Sequence, residues 1–322
     1  MDLEGALQFQ PELQIGVPLH CTEHCWEAIL KKSGKSESGY VGLRADGFLQ
    51  RIFSSHSEDL QSPAPVALPA SHLSQTAMGR RSVVIAGEGT PTVVFEAGLG
   101  KGKDDWKAVF NSVAAQTRAI AYDRAGYGAS EPSNESRDGR QIVQELRALL
   151  AAENLPPPYV LVGHSLGGTI VKLFARTYPD EVAGVVLVDA RHADLARQCR
   201  QVGVLRFLYE PPRLMFLLSR KATRKEVKAA PVTMRQARQA GPFPTVPLIV
   251  VTHQKASTHW PRALGKVWVA GQHHMVKMSA LGRIKVCADS GHNVHRDQPD
   301  VVVQAVISVV NAVRYLQSKR SG

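Results

Sequence analysis

Cysteine is scarce in this sequence and does not form a pattern. The 322 residues contain four cysteines, at positions 21, 25, 199 and 287. Because the cysteines are so few and so widely scattered, the sequence excludes a small disulfide-rich scaffold. It favours a reducing compartment such as the cytoplasm. The 44% hydrophobic and 21% charged content is typical of a globular protein.

A basic leader and a membrane-length apolar run are also missing. The first twenty residues contain no lysine or arginine, which argues against a secretory signal peptide. The longest apolar stretch, 301–313, is interrupted by Gln304, Ser308 and Asn311. It is shorter than the ~18 residues of a membrane span and predicts a buried helix.

The chain divides near residue 78 by its pattern. Residues 1–77 have weak periodicity, a serine-rich patch and a proline-containing segment at 61–75. We interpret them as a partly disordered N-terminal extension, with a short strand near Gly47–Phe53. Residues 78–322 carry the sharp apolar patterns of one folded domain.

Short β-branched runs alternate with amphipathic segments after residue 80. Strands apolar on both faces, separated by helices, predict an α/β fold with a mostly parallel central sheet and helices on both faces. The runs at 81–87 and 90–98, joined by the turn signal EGTP, predict a hairpin or adjacent strands. The other predicted strands are 118–123, 159–163, 184–189, 247–251 and 283–289, and the predicted helices are 138–155, 165–178, 262–280 and from about 299 onward.

The segment YVLVGHSLGG, at 159–168, places a serine between two glycines at the end of a strand. The pattern strand, G-x-S-x-G, helix is typical of a nucleophile elbow, in which Ser165 stands exposed in a tight turn. Gly163 and Gly167 would remove Cβ atoms that collide with the neighbouring strand and helix. We predict Ser165 as a nucleophile.

A serine nucleophile needs a base and an acid that orients the base. In this arrangement the acid and then the histidine follow the serine along the chain. His292, directly after the last predicted strand, is the favoured base and His295 the alternative. The favoured acid is Asp189, which ends the strand after the elbow strand. The open alternatives for the acid are Asp289, Asp194 and Asp123.

The oxygen anion of a tetrahedral intermediate also needs hydrogen-bond donors. The backbone N–H of Leu166, at the start of a helix, is one candidate. The loop EAGLGKG at 96–102 offers the second, with Leu99 favoured. That loop lacks the serine or threonine of a phosphate-binding P-loop.

Together these segments resemble the α/β-hydrolase superfamily, and the resemblance covers about residues 78–318. It rests on TPTVVFEAGLG, Trp106, AIAYDRAGYGAS, PPPYVLVGHSLGG, GVVLVDARHAD and SGHNVHRDQPDVVVQAV, in the family's order. The resemblance implies Ser165 as nucleophile, His292 as base, and an oxyanion hole at Leu99 and Leu166. Members with the acid after the sixth strand would match Asp189. Ala97 replaces the histidine of the commoner oxyanion loop, and no carboxylate follows the seventh strand.

The resemblance implies a cofactor-free serine carboxylesterase that acts on small or medium acyl esters through an acyl-enzyme. A serine at the elbow disfavours the members that use an aspartate nucleophile, such as haloalkane dehalogenases and epoxide hydrolases. Acyl transfer, lactone or thioester hydrolysis on the same residues are alternatives. A non-catalytic member that binds a ligand or a membrane is the alternative from another class.

Most of the positive charge lies in one insertion. Residues 191–245, where the family carries its cap, hold twelve basic and three acidic residues, in a chain whose net charge is +11. We favour a short helical cap with solvated arginines. A cap that contacts an anionic membrane peripherally, or that admits an anionic amphiphile, is the alternative. Nucleic acid is disfavoured as a partner, because no stacking aromatic residues accompany the charge.

One further segment, HCTEHC at 20–25, concentrates metal-ligand residue types. Neither its spacing nor a second half matches a structural zinc site. We predict no metal.

Overall fold

A nine-stranded sheet runs through the computed structural model, which describes residues 40–42, 67–206, 213–254 and 261–319. Its strands, in chain order, are β1 Tyr40–Gly42, β2 His72–Thr76, β3 Gly79–Ala86, β4 Thr92–Glu96, β5 Ala119–Tyr122, β6 Tyr159–His164, β7 Val182–Val188, β8 Leu248–His253 and β9 Gly282–Cys287. Their order across the sheet is β1-β9-β8-β7-β6-β4-β5-β3-β2. The six strands from β9 to β5 are parallel, and the outer three pair antiparallel.

Helices cover both faces of the sheet. They are α1 Phe110–Ala114, α2 Gly139–Ala152, α3 Leu166–Thr177, α4 Leu195–Gln201, α5 Lys221–Gln239, α6 Arg262–Val276, α7 Val294–Asp297 and α8 Pro299–Ser318. One buried cluster joins a face of the sheet to α2, α3 and α6, and a second joins the other face to α1 and α8. The predicted parallel sheet with helices on both faces is confirmed.

The apolar C-terminal run forms α8. By length and composition alone this helix could cross a membrane. Nine of its side chains are buried, and it packs against β7 and β8. It is therefore a core helix of this fold, as the interrupted apolar pattern predicted.

The predicted pairing of the strands around EGTP is wrong. β5 lies between β3 and β4 in the sheet, and β3 pairs antiparallel with β5. β4 is buried along its whole length and pairs in parallel with β5 and β6. Since both of its edges are already used, β4 has no edge left for β3.

The sheet also begins before the predicted boundary at residue 78. That boundary falls in the tight turn between β2 and β3, and β1 pairs with β9 at the opposite edge. The polar sequence HLSQT of β2 alternates exposed and buried positions without an apolar run, so it carried no strand signal. The strand expected near Gly47–Phe53 lies outside the described residues.

The basic insertion at 191–245 lies between β7 and β8. Its described part contains α4, a 3-10 turn at Arg213–Phe216 and the long helix α5. α5 packs on α2 and α3, beside the C-terminal edge of the parallel strands. Contact of this insertion with an anionic membrane, the alternative interpretation of its charge, is not tested by the fold and stays a prediction.

Candidate active site

Ser165 sits in the turn between β6 and α3 in a backbone conformation that few side chains adopt. β6 ends at His164 and α3 begins at Leu166, so this one residue carries the change of direction, with φ 53° and ψ −114°. A residue with a Cβ atom is strained there, and such strain is concentrated at functional sites. The predicted strand–serine–helix turn is present.

The two glycines of this turn are required by close approach. A Cβ atom on Gly167 would lie 2.2 Å from the carbonyl oxygen of Glu96. One on Gly163 would lie 2.7 Å from the carbonyl carbon of Gly167. Backbone at these distances cannot yield to a side chain, which confirms the steric reason predicted for both glycines.

Ser165, His292 and Asp189 form one chain of hydrogen bonds. His292 Nε2 lies 3.0 Å from Ser165 Oγ. The other ring nitrogen, Nδ1, lies 2.5 Å from Asp189 Oδ2. Because an ionised carboxylate only accepts, Nδ1 carries the proton, and Nε2 of a neutral ring is left to accept from the serine hydroxyl. The structure thus brings together the three residues that the sequence favoured.

The loop that carries His292 is held from both sides. On one side the N–H of Gly291 and the hydroxyl of Ser290 donate to Asp297 Oδ2, at 2.9 and 3.2 Å. On the other side His164 Nε2 donates to the carbonyl of His292 at 2.9 Å. These bonds fix the imidazole against the turn at Ser165.

Asp189 is fully buried at the end of β7, at φ 40°. Thr252 Oγ1 and Trp268 Nε1 donate to its Oδ1 at 2.9 and 3.0 Å, and His253 Nδ1 lies 2.9 Å from its Oδ2. Burial raises the pKa of this carboxyl, but hydrogen bonds from His253 and His292 outweigh burial and hold the pKa well below its ordinary value. Asp189 is therefore ionised at neutral pH.

The alternative candidates lie elsewhere. His295 is buried with Nε2 3.1 Å from Asp105 Oδ2. Asp123 accepts from the N–H and the ammonium of Lys103 and so holds a loop, as predicted. Asp194 pairs with Arg197, and Asp289 is exposed.

The loop after β4 runs past the serine. A Cβ atom on Gly98 would lie 3.5 Å from Ser165 Cβ, and Leu99 lines the same cavity as Ser165 and Leu166. Leu166 is the first residue of α3, so its N–H has no partner within the helix. Among the described turns and loops, neither the Leu99 nor the Leu166 N–H donates to a main-chain carbonyl. Both residues predicted to donate therefore line the cavity that holds Ser165, and their role as donors stays a prediction.

A buried arginine that was not predicted from the sequence supports that loop. Arg124 donates to the carbonyls of Ala97 and Gly98 at 2.7 and 2.8 Å. It also donates to Glu96 at 2.6 Å, and to both carboxylate oxygens of Glu226 at 2.8 and 3.0 Å. All five of its N–H groups are used. We call Glu96, Arg124 and Glu226 the Arg124 network; it joins the loop after β4 to the cap helix α5.

A second buried cluster lies behind the serine. Asp105, His164 and His295 bring one potential ligand atom each to within 4.8 Å of one another, a set of residue types that could hold a metal ion. Arg296 also hydrogen-bonds Asp105. Burial lowers the pKa of His295 to about 4, so this ring is neutral near pH 7. The HCTEHC segment lies outside the described residues.

The signals for the missed residues were weak or absent. Arg124 begins the segment RAGYGAS directly after β5, a glycine-rich loop at the same sheet edge as Ser165. Thr252, His253 and Trp268 carry no motif, because their partner Asp189 is far away in the chain. Only the packing of β8 and α6 beside β7 brings them to the carboxylate.

Comparisons with known proteins agree with this architecture. A model of the alpha/beta hydrolase family matches residues 93–305. The uncharacterised protein YqjL of Bacillus subtilis is 29% identical over 222 residues, which cover 68% of this chain and 83% of that protein.

Solved structures are similar over most of their length. An esterase from Thermogutta terrifontis is 21% identical, covers 76% of this chain and 99% of its own, and has a TM-score of 0.57. An epoxide hydrolase from Vigna radiata is 17% identical, covers 75% and 98%, and has a TM-score of 0.58. At these identities the likeness establishes the fold alone, since one fold carries several chemistries.

Proposed function

Because the chain belongs to the alpha/beta hydrolase family, we propose that it is a serine hydrolase that cleaves carboxylic esters through an acyl-enzyme intermediate. The observation that carries the proposal is the chain of contacts from Asp189 through His292 to a strained Ser165, at 2.5 and 3.0 Å. A nucleophile, a base and an oriented acid within hydrogen-bond reach are what acyl transfer requires.

In the first half-reaction, Ser165 Oγ attacks the acyl carbon while its proton passes to His292 Nε2. The ionised Asp189 keeps the imidazole in the correct tautomer and stabilises its cation. The N–H groups of Leu99 and Leu166 would donate to the oxygen that becomes negative, each contributing about 3 kcal/mol. The tetrahedral intermediate then breaks its bond to the alcohol oxygen, which takes the proton from Nε2.

In the second half-reaction, water replaces the alcohol. His292 Nε2 accepts a proton from the water as its oxygen attacks the acyl carbon of the serine ester. The bond from the acyl carbon to Ser165 Oγ breaks, Oγ regains the proton, and a carboxylic acid leaves. No oxidant, reductant or second substrate besides water is needed.

The serine itself favours acyl chemistry over opening of epoxides or removal of halide. Attack of a serine oxygen on an alkyl carbon would form an ether, which water does not cleave under these conditions. Attack on an acyl carbon forms an ester, which the same base can hydrolyse. Thioesters and lactones fit the same step, so the reactive carbonyl is the common feature.

The test is hydrolysis of p-nitrophenyl esters of increasing acyl length by the wild-type chain and by Ser165→Ala. We expect turnover by the wild type and a loss of about 10⁴- to 10⁶-fold in kcat in the variant. Ser318→Ala, an exposed serine at the end of α8, is the matched control and should leave kcat unchanged.

Covalent labelling separates an enzyme from a non-catalytic member of the fold. A fluorophosphonate should modify Ser165 in the wild type and in Ser318→Ala, with the adduct located by peptide mass spectrometry. Unchanged ester hydrolysis in Ser165→Ala, or absence of labelling together with absence of turnover, would refute the proposed function.

A further inference from the structure

A cavity of about 1200 Å³ opens beside Ser165 and extends between α3, α5 and α6. Leu99, Ser165 and Leu166 form one end of it. A cavity of this size accommodates a substrate considerably larger than a short acyl group. The chemistry of its walls therefore bears on which ester binds.

The cavity is strongly cationic. Among the described residues, two carboxylates line it, and both already have partners: Asp194 lies 3.2 Å from Arg197, and Glu226 is bound by Arg124. Against them the lining includes eight basic side chains: Lys172, Arg176, Arg191, Arg197, Arg200, Arg206, Arg235 and Arg238. The described lining thus carries an excess of basic over acidic side chains next to the proposed nucleophile.

Lys172 is the buried member of this set. Only 5% of the residue is exposed, and its Nζ donates to the carbonyl of Arg191 and to Met275 Sδ, both at 2.9 Å. An ammonium has three donors, and the third has no acceptor within the described residues. Burying a lysine without a carboxylate is costly, which makes a bound anion a favourable partner.

The lowered pKa values of Lys172 and Arg176 reflect this cost of burial. Burial, and secondarily the charge of Arg176, lower the pKa of Lys172 from 10.5 to about 7. Burial also lowers the pKa of Arg176, one helical turn further along α3. Among the described residues neither side chain has a carboxylate within ion-pair distance.

Lys172 is close enough to the serine for one substrate to reach both. The N–H of Arg191 donates to the carbonyl of Ser165 at 3.0 Å, and the carbonyl of Arg191 accepts from Lys172. Ser165 immediately precedes α3 and Lys172 is the seventh residue of that helix, so about 10 Å of helix length separates them. A chain of several methylenes spans this distance.

One part of the cavity wall is apolar and adaptable. Three methionines, Met234, Met275 and Met278, line the cavity, and the sulfurs of Met275 and Met278 accept from Lys172 and Arg176. Methionine packs against chains of varied shape, because its unbranched side chain rearranges readily. An apolar chain with an anionic end is therefore complementary to a wall that combines these methionines with Lys172 and Arg176.

We propose that the substrate is an ester whose acyl chain ends in a carboxylate, and that Lys172 and Arg176 bind this carboxylate while Ser165 attacks the ester carbonyl. The inference rests on the proposed function for the attack, but not for the binding of the anion. We call Lys172 and Arg176 the anion subsite.

The kinetic test compares two esters of equal acyl length. The mono-p-nitrophenyl ester of adipic acid carries the carboxylate, and p-nitrophenyl hexanoate does not. We expect the wild type to prefer the adipate ester in kcat/KM. In Lys172→Met the adipate-to-hexanoate ratio should fall by about 10- to 100-fold, the value of a lost charged hydrogen bond. Arg176→Met should also lower the adipate-to-hexanoate ratio.

Lys228→Met is the matched control, because it removes an exposed lysine of α5 that does not line the cavity. It should leave the ratio unchanged. A wild-type enzyme that hydrolyses the hexanoate ester as well as the adipate ester, or a ratio that Lys172→Met and Lys228→Met change equally, would overturn the anion subsite while leaving the proposed function intact.

A binding measurement keeps the subsite testable if no ester is turned over. In Ser165→Ala, we expect monomethyl suberate to bind at least about 10-fold more tightly than the neutral dimethyl suberate by calorimetry. Adding Lys172→Met should reduce that difference, and adding both Lys172→Met and Arg176→Met should abolish it. Equal binding of the two esters to Ser165→Ala would refute the subsite. A clear difference in binding, combined with no ester hydrolysis by the wild-type protein, would support the subsite and count only against the proposed hydrolysis.

Discussion

Two buried cations lie on different sides of Ser165, and they differ in their partners. Arg124, beside the loop after β4, uses every donor on two carboxylates and two main-chain carbonyls. Lys172, on the α3 side, donates to one carbonyl and one sulfur. A fully paired charge holds parts of the protein together, whereas a charge with an unused donor is available to a ligand. Burial alone therefore does not tell a structural cation from a binding one.

The largest effect is expected on the paired side. Arg124→Met would leave the carboxylates of Glu96 and Glu226 buried without a counter-charge. We expect the free energy of unfolding, measured with urea, to fall by about 3–5 kcal/mol. The proposed hydrolysis of p-nitrophenyl esters should slow as well, because the carbonyls of Ala97 and Gly98 lose their donor.

An exposed pair provides the control for that substitution. Arg80 lies 2.7 Å from Glu131, and both side chains are about half exposed, 52% and 41%. Arg80→Met should lower the free energy of unfolding by less than about 1 kcal/mol. Equal losses in the two variants would mean that the Arg124 network contributes no more than a surface ion pair.

Substitution of Lys172 is expected to change the free energy of unfolding in the opposite direction. Lys172→Met replaces a buried ammonium by an apolar side chain of similar length. We expect it to raise the free energy of unfolding at pH 6 by about 1–4 kcal/mol, measured by urea unfolding. A loss of stability at pH 6 would show that Lys172 is structural, as Arg124 is.

The pH dependence sharpens this prediction. The pKa of Lys172 is about 7 in the folded chain and 10.5 as the ordinary value. Between these values the unfolded chain binds more protons, so stability rises with pH; below pH 7 the penalty of the buried charge is fully present. The gain in Lys172→Met should therefore shrink as pH rises from 7 towards 10. The other charged or titratable groups lining this cavity are Arg176, Arg191, His192, Asp194, Arg197, Arg200, Arg206, Glu226, Arg235, Arg238 and His274.

A smaller effect is expected at the link between the network and the cap. Glu226→Gln keeps the shape of the side chain, and Arg124 keeps its bond to Glu96. We expect a loss of about 1–3 kcal/mol in the free energy of unfolding. A loss as large as that of Arg124→Met would indicate that the cap helix, rather than the loop after β4, depends on this network.

The smallest effect is expected at a hydrogen bond to Asp189. Trp268→Phe removes the indole N–H that donates to Asp189 Oδ1 at 3.0 Å but keeps an aromatic ring. Since Thr252 and the imidazoles still hold the carboxylate, we expect a decrease in kcat of less than about 10-fold on p-nitrophenyl butyrate. A decrease approaching that of Ser165→Ala would mean that this single bond sets the orientation of the acid.

The parts that could be predicted from the sequence share one property: their signal is local. The motif of the turn at Ser165 lies within ten consecutive residues, and the buried strands are continuous apolar runs. Ser165, Asp189 and His292 each follow the end of a strand, namely β6, β7 and β9. β2 was not predicted because its sequence is polar. The predicted pairing of β3 with β4 was wrong because the order of strands in the sheet depends on the crossover connections.

The sequence alone determined the α/β architecture, the serine in its glycine-flanked turn, and the basic character of the insertion, because each depends on neighbouring residues in the chain. Only the tertiary structure decided which carboxylate meets His292, and which cations are paired. Arg124 finds Glu226 across 102 positions, while Lys172 meets no carboxylate in the described part of the chain. Such partners are set by how helices and strands pack, since charge energies depend on distance in space and on burial.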